Sequence, residues 1–203
     1  MVKRCAPLGL VFAAVFACSL LTGCAAGQKI MLKYTPEASS KVGNSQKISV
    51  SVQDQRPFVK DKTKSPTYLG HFRSNAGIPW AVSNAGNMTL AGQFEEDLIS
   101  ELNALGFSAV TSGAAKTLKV EIIDYNFDAY NNGKFWYKLN VLVLDSSGAT
   151  LVQTSLKETK IIAGCSGWID QFAAFKEEMP KLHAQIIRKI VRDNEKVLSA
   201  LRD

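Results

Sequence analysis

A chain of 203 residues that is 46% hydrophobic and 21% charged, with a formal net charge of +6, has the composition of one globular domain and not of a disordered tail. Four cysteines, two histidines and six prolines argue against a disulfide scaffold, a collagen-like repeat or a histidine-rich metal protein. An enzyme would have to be built from few candidate groups.

Lys3 and Arg4 precede 17 uncharged residues, 5–21, which read as the basic and apolar parts of an export signal. Pro7, Gly9 and Ser19 interrupt this run, and it falls short of the roughly 20 apolar residues that span a bilayer. It ends at Leu21-Thr22-Gly23-Cys24, an aliphatic residue, two small residues and a cysteine, which resembles the bacterial lipobox. The resemblance implies a diacylglycerol on the Cys24 thiol and cleavage ahead of it. Val15-Phe16-Ala17-Cys18 is a rival, but Phe16 is bulky where small residues are wanted. Loss of residues 1–23 removes Lys3 and Arg4 and lowers the charge from +6 to +4. Cys165 is then the one remaining unmodified thiol, so no intramolecular disulfide is expected. Several acyl chains on one residue anchor firmly, at about 0.8 kcal/mol per buried methylene. Ala25 rather than Asp after the cysteine implies, by the same resemblance, sorting to the outer membrane, facing the periplasm. The expected partners are the membrane, through the lipid, and another envelope protein or murein; nucleic acid is not expected there.

Residues 24–46 lack apolar periodicity apart from Ile30-Met31-Leu32 and read as the lipidated N-terminus and a flexible tether. A single domain is expected over 47–203. Ile48, Val50 and Val52 alternate with polar residues as in a half-buried strand that stops before Pro57. Over 56–86 no period is sustained, which predicts a long irregular insertion in which Tyr68 to Phe72 forms at most a short edge strand. The insertion interleaves Phe58, Tyr68, Phe72 and Trp80 with five cations, a mixture suited to binding.

Leu90, Phe94, Leu98, Leu102 and Leu105 recur at helical spacing, and Gly106 is placed to end that helix. Glu95, Glu96, Asp97 and Glu101 lie off the stripe and are expected on its solvent face. Leu118, Val120 and Ile122 alternate, and Tyr125 and Phe127 continue on the other parity, which predicts a bulge at Ile123. Asn132-Gly133 signals a hairpin into a strand from Phe135 to Leu144, and Asp145 to Gly148 turns the chain into a third strand over 150–162. The last forty residues are helical in pattern, with a break or kink expected at Pro180. Their lysines and arginines read as a solvated face that can lie near anionic lipid.

Gly164-Cys165-Ser166-Gly167 invites a nucleophile reading, but Trp168 stands where a hydrolase elbow needs glycine, and only His71 or His183 offers a base. No metal-ligand spacing and no phosphate-binding glycine pattern occurs, so neither a metal nor a cofactor is expected. The order of elements resembles the YajG-like bacterial lipoproteins. The resemblance rests on the lipobox, Asp54 and Arg56 after the first strand, and Leu102, Gly106 and Phe107 at the end of the helix. That family supplies no catalytic residues.

The predicted architecture is α+β: a mainly antiparallel sheet in β-α-β-β-β-α order with two amphipathic helices on one face, preceded by a signal peptide over 1–23. The predicted function is a non-catalytic binding or assembly module of the envelope, with Asp54, Arg56, Phe58, Tyr68, Phe72 and Trp80 as its candidate surface. The alternatives are a structural subunit of an envelope complex, or an enzyme using Cys165 or Ser166.

Overall fold

A computed structural model describes residues 27–38, 40–73, 76–130, 133–162 and 168–203. Residues 1–26, which include the expected signal segment and Cys24, and residues 163–167, which include Cys165 and Ser166, lie outside the described residues. The elements in chain order are β1 (Gln28–Ile30), β2 (Lys47–Asp54), α1 (Pro57–Lys60), β3 (Tyr68–Arg73), β4 (Pro79–Asn84), α2 (Leu90–Ala104), β5 (Ser108–Val110), β6 (Lys116–Ala129), β7 (Gly133–Leu144), β8 (Thr150–Ile162), α3 (Trp168–Ile190) and α4 (Glu195–Arg202).

β6 is the spine of one sheet. Along one edge it pairs antiparallel with β7, which pairs antiparallel with β8, so the predicted meander forms. Along its other edge two strands lie end to end and parallel to it: β2 against 116–122 and β3 against 128–129. β5 extends the sheet beyond β2, and β4 and then β1 extend it beyond β3. The sheet is therefore mixed rather than mainly antiparallel, and its strand order is not that of a simple β-α-β-β-β-α chain. The difference arises in 56–86, which is not an irregular insertion but supplies α1, β3 and β4. β3 is an interior strand, bonded on both sides. Periodicity misses it because Tyr68, Leu69, Gly70 and Phe72 are all buried, and a register shift between Tyr68 and Gly70 breaks the alternation.

The expected tether is also packed. Ile30 and Leu32 are fully buried, β1 pairs with β4, and Gly43 lies against Phe107. Three residues of β1 are too few to show a period, which is why composition alone suggested a linker.

The β6 bulge falls where predicted, with Ile122 opposite Leu139, Asp124 opposite Lys138, and Ile123 the extra residue. It keeps Leu118, Val120 and Ile122, and then Tyr125, Phe127 and Ala129, on the core face. α2 and α3 cover that face: the Phe94 and Tyr125 rings meet edge to face at 5.8 Å, and Phe127 stacks on Phe175 at 4.8 Å. α2 begins at Thr89, whose side chain accepts from the Gly92 N–H. It ends in a Schellman motif, in which Gly106, at φ 88°, lets Phe107 N–H reach Leu102 C=O at 3.0 Å.

Of the break or kink expected at Pro180, the break does not occur: α3 runs through the proline. Phe175 and Met179 before it and Leu182, Ile186 and Ile187 after it are buried in the core. That burial outweighs the roughly 3 kcal/mol cost of an interior proline. The helix instead stops at 191–194, and Asn194 caps α4 by accepting from the Val197 N–H.

Candidate binding surface

The six residues proposed from sequence do not form one surface. Arg56 is fully buried and Asp54 nearly so. Arg56 Nε and Nη2 bind both Asp54 carboxylate oxygens at 2.9 and 2.7 Å, a bidentate pair. Nη1 donates to the carbonyls of Tyr68 at 2.6 Å and Tyr125 at 3.3 Å, and Nη2 also donates to Pro66 C=O. All five donors of the guanidinium are thus engaged. The position explains the need: β2 ends at Asp54, β3 rejoins β6 at Asp128, and the Tyr125 carbonyl between them has no strand opposite. Arg56 fills the gap between two abutting strands, a structural role and not an exposed one.

Phe72 and Tyr68 are likewise buried, and Trp80 is half-buried. Phe72 is buried on the core side of β3, 5.3 Å from Phe172, with the half-buried Trp80 stacked on it at 6.1 Å. Their shared role is to seal β3 and β4 against α3.

What remains is a chain of contacts on the face of the sheet opposite α2 and α3, where α1 contributes Phe58. The half-buried Phe58 ring, with the Arg56 guanidinium 5.1 Å from its centroid, meets Tyr68 edge to face at 5.5 Å. Lys64 lies over Tyr68 at 5.2 Å. The Tyr68 hydroxyl is 3.1 Å from His71 Nδ1, and His71 Nε2 is 3.2 Å from Asp128 Oδ2. Arg73 binds Asp128 through Nε and Nη2, the latter at 2.8 Å, and its guanidinium lies 5.9 Å from the ring of the exposed Tyr130. Strand alternation places His71, Arg73 and Asp128 together: β3 residues 71 and 73 point away from the core, as does 128 once the bulge has reset β6.

Sequence reasoning passed over Asp128 and Tyr130, weighed His71 only as a possible base, and counted Arg73 only as one of the five cations of 56–86. The available signal was the alternation Asp124, Asn126, Asp128 after the bulge, which marks the outer face of β6.

A tyrosine, histidine and carboxylate in a row resembles a proton relay, but the electrostatics do not activate the phenol. Burial, together with the Asp128 charge, pushes the Tyr68 phenol up from its ordinary value, the opposite of activation. Burial alone would raise the Asp128 carboxyl, yet the hydrogen bond from Arg73 and the neighbouring His71 outweigh it and hold the group below the usual carboxylate range. Asp128 is thus committed as an acceptor.

Two carboxylates predicted on the solvent face of α2 are instead internal. Asp97 and Glu101 are buried. Asp97 Oδ2 lies 2.7 Å from His183 Nε2 of α3. Glu101 accepts from Arg192 Nε at 2.6 Å and from the Tyr34 hydroxyl. Each is paired across an interface between elements distant in sequence, which helix periodicity cannot register. Among the described residues no group of three or more His, Cys, Asp or Glu could hold a metal ion, and no helix is long and apolar enough to cross a membrane.

No protein-family model matches the chain, and no curated protein matches it in sequence. Solved structures do match it in shape. A DUF330 protein from Xanthomonas campestris superposes with a TM-score of 0.52, covering 78% of this chain and 91% of that one at 11% identity. PelC from Paraburkholderia phytofirmans, a dodecamer, gives 0.42 over 82% and 93% at 12% identity. The lipoprotein GNA1162 from Neisseria meningitidis gives 0.30 over 71% and 97% at 15% identity. The first likeness establishes a shared α+β fold; none of them assigns an activity.

Proposed function

We infer that the protein is a lipid-anchored, non-catalytic lipoprotein of the cell envelope, tethered through Cys24 and facing the periplasm, that binds a partner protein through the outer surface of β3 and β6. The observation that carries this reading is the run of contacts from Phe58 and Lys64, through the buried Tyr68, to His71, Asp128, Arg73 and Tyr130 on the face of the sheet opposite α2 and α3. Such groups are the usual anchors of interfaces, and with Arg73 half-exposed at the rim the partner is expected to present acidic or carbonyl groups. The YajG-like resemblance supports the fold more than the task, since Asp54, Arg56, Leu102, Gly106 and Phe107 all have structural roles: two bridge the sheet and three end α2.

In-cell crosslinking of the wild type beside a Phe58→Ser, Arg73→Glu, Tyr130→Ser variant tests the surface. A specific crosslinked protein that disappears in the variant, with the same expression level and melting temperature, supports it. An identical crosslinked set in both would overturn it. Intact mass of the membrane-extracted chain beside Cys24→Ser tests the anchor, and only the wild type is expected to carry acyl mass.

A further inference from the structure

Among the described residues, the backbone of β8 is hydrogen-bonded to β7 alone, which leaves one edge of a 13-residue strand open. No proline interrupts it, and natural edges of this length are normally blunted or covered. Two of the exposed large hydrophobic side chains of the molecule stand on this strand: Leu151 at 47% and Ile161 at 60%. Both belong to the outward-facing set, five residues either side of Leu156.

Two concavities flank the strand with the same spacing. One, of about 710 Å³, is lined by Leu151 and Val152 together with α4 residues including Lys196 and Ala200. The other, of about 430 Å³, is lined by Lys160, Ile161 and Ile162 with α3 residues including Leu182 and Gln185.

We propose that β8 is a homodimer interface, in which two copies of the chain pair their β8 edges antiparallel about a two-fold axis at Leu156 and continue the sheet from one copy into the other. An axis normal to the sheet keeps both helix layers on one side and makes the contact self-complementary. The register is dictated by the side chains. Centred on Leu156, each Leu151 stands opposite Ile161 of the partner, and each Val152 opposite Lys160 of the partner, so the larger concavity of one copy meets the smaller one of the other. Lys157 faces Ser155, and no like charges are directly opposed. Moving the centre to Lys157 sets two lysines face to face, and moving it to Ser155 puts Leu151 against Thr159, both poorer cross-strand pairs. The edge lies two strands away from the surface of Phe58 and Tyr130, so dimerisation and partner binding can succeed or fail independently.

The test is disulfide trapping with the full-length chain in the envelope, in a Cys165→Ser background. Leu151→Cys combined with Ile161→Cys is expected to give a covalent dimer on mild oxidation. Either substitution alone should not, because equivalent positions on the two copies are then about 33 Å apart along the strand. A double variant that stays monomeric, or single variants that crosslink equally well, would overturn the proposal. Light scattering of the detergent-extracted protein gives a second reading: twice the chain mass for the wild type, and one chain mass for Ile161→Lys with an unchanged far-ultraviolet circular dichroism spectrum. A monomeric wild type, or an oligomer indifferent to Ile161→Lys, also overturns it.

Discussion

Arg56 donates to the backbone carbonyl of Tyr68 at 2.6 Å, so a side chain at the end of one strand holds the first residue of the next strand along the same edge of β6. The two strands are joined by a guanidinium where a continuous ladder would have supplied backbone N–H donors.

Replacing Arg56 with leucine is therefore expected to destabilise the fold by about 3–5 kcal/mol, because Asp54 is left as an uncompensated buried charge. Arg56→Lys should also be costly, since one ammonium cannot serve five acceptors in a planar fork. Chemical denaturation of the purified protein measures both. A loss below about 1 kcal/mol for the leucine variant would show that the gap closes without the guanidinium.

The Asp97 and His183 side chains tie α2 to α3 at a fully buried contact. Asp97→Asn, His183→Gln and the double variant form a thermodynamic cycle, and the coupling energy is expected between about 0.5 and 3 kcal/mol. Additive single effects would mean that the two groups stand near each other without depending on each other.

Stability should fall in acid. Asp128 is held below its ordinary value by Arg73 and His71 despite the opposing effect of burial, and Glu158 by its hydrogen bond from Lys189. A folded value below the unfolded one, about 3.9 for Asp and 4.3 for Glu, means that the unfolded chain binds more protons in that window. The contribution is complete above about pH 4.5 and is lost as the pH drops through the folded values. Asp128→Asn with Glu158→Gln should flatten the curve of unfolding free energy between about pH 2 and 4.5. An unchanged slope would remove both groups from the linkage.

Gly70 is in contact with the ring and carbonyl of Phe127, and an added Cβ would lie 2.5 Å from that carbonyl oxygen. Gly70→Ala should cost about 1–3 kcal/mol as overpacking against backbone. Gly86→Ala meets no steric neighbour and carries only the cost of its positive φ. Comparing the melting temperatures of the two variants separates these causes.

The sequence made visible whatever repeated over enough residues to be counted. α2 with its glycine stop, the bulge at Ile123, and the meander down to the bounds of β8 follow from local period and turn chemistry. β1, β3 and β4 do not: β1 has three residues, β3 is buried over most of its length and split by a register shift, and β4 has only Trp80 and Val82 as large apolar residues on its inner side. The surface was half legible for the same reason. Phe58 and Tyr68 stand out by composition, whereas Asp128 joins them only through a parallel pairing between residues more than fifty positions apart. Asp97 and Glu101 were misplaced because a helix wheel reports which side chains leave the apolar stripe and not what comes to meet them.

The extra residue at Ile123 also constrains how the gene can change length. Downstream of it, Tyr125, Phe127 and Ala129 face the core only because one unpaired position has been counted in. Loss of Ile123 itself would leave Ile122, Asp124 and Tyr125 in regular alternation opposite Leu139, Lys138 and Tyr137, whereas a one-codon deletion at Asn126, outside the bulge, would drive Asp128 inward and expel Phe127 and Ala129. A codon gained or lost in the exposed 146–149 turn has no such consequence, as both flanking strands would keep their phase. Length variation among descendants of this chain should therefore accumulate between β7 and β8 and, within β6, be confined to the bulge.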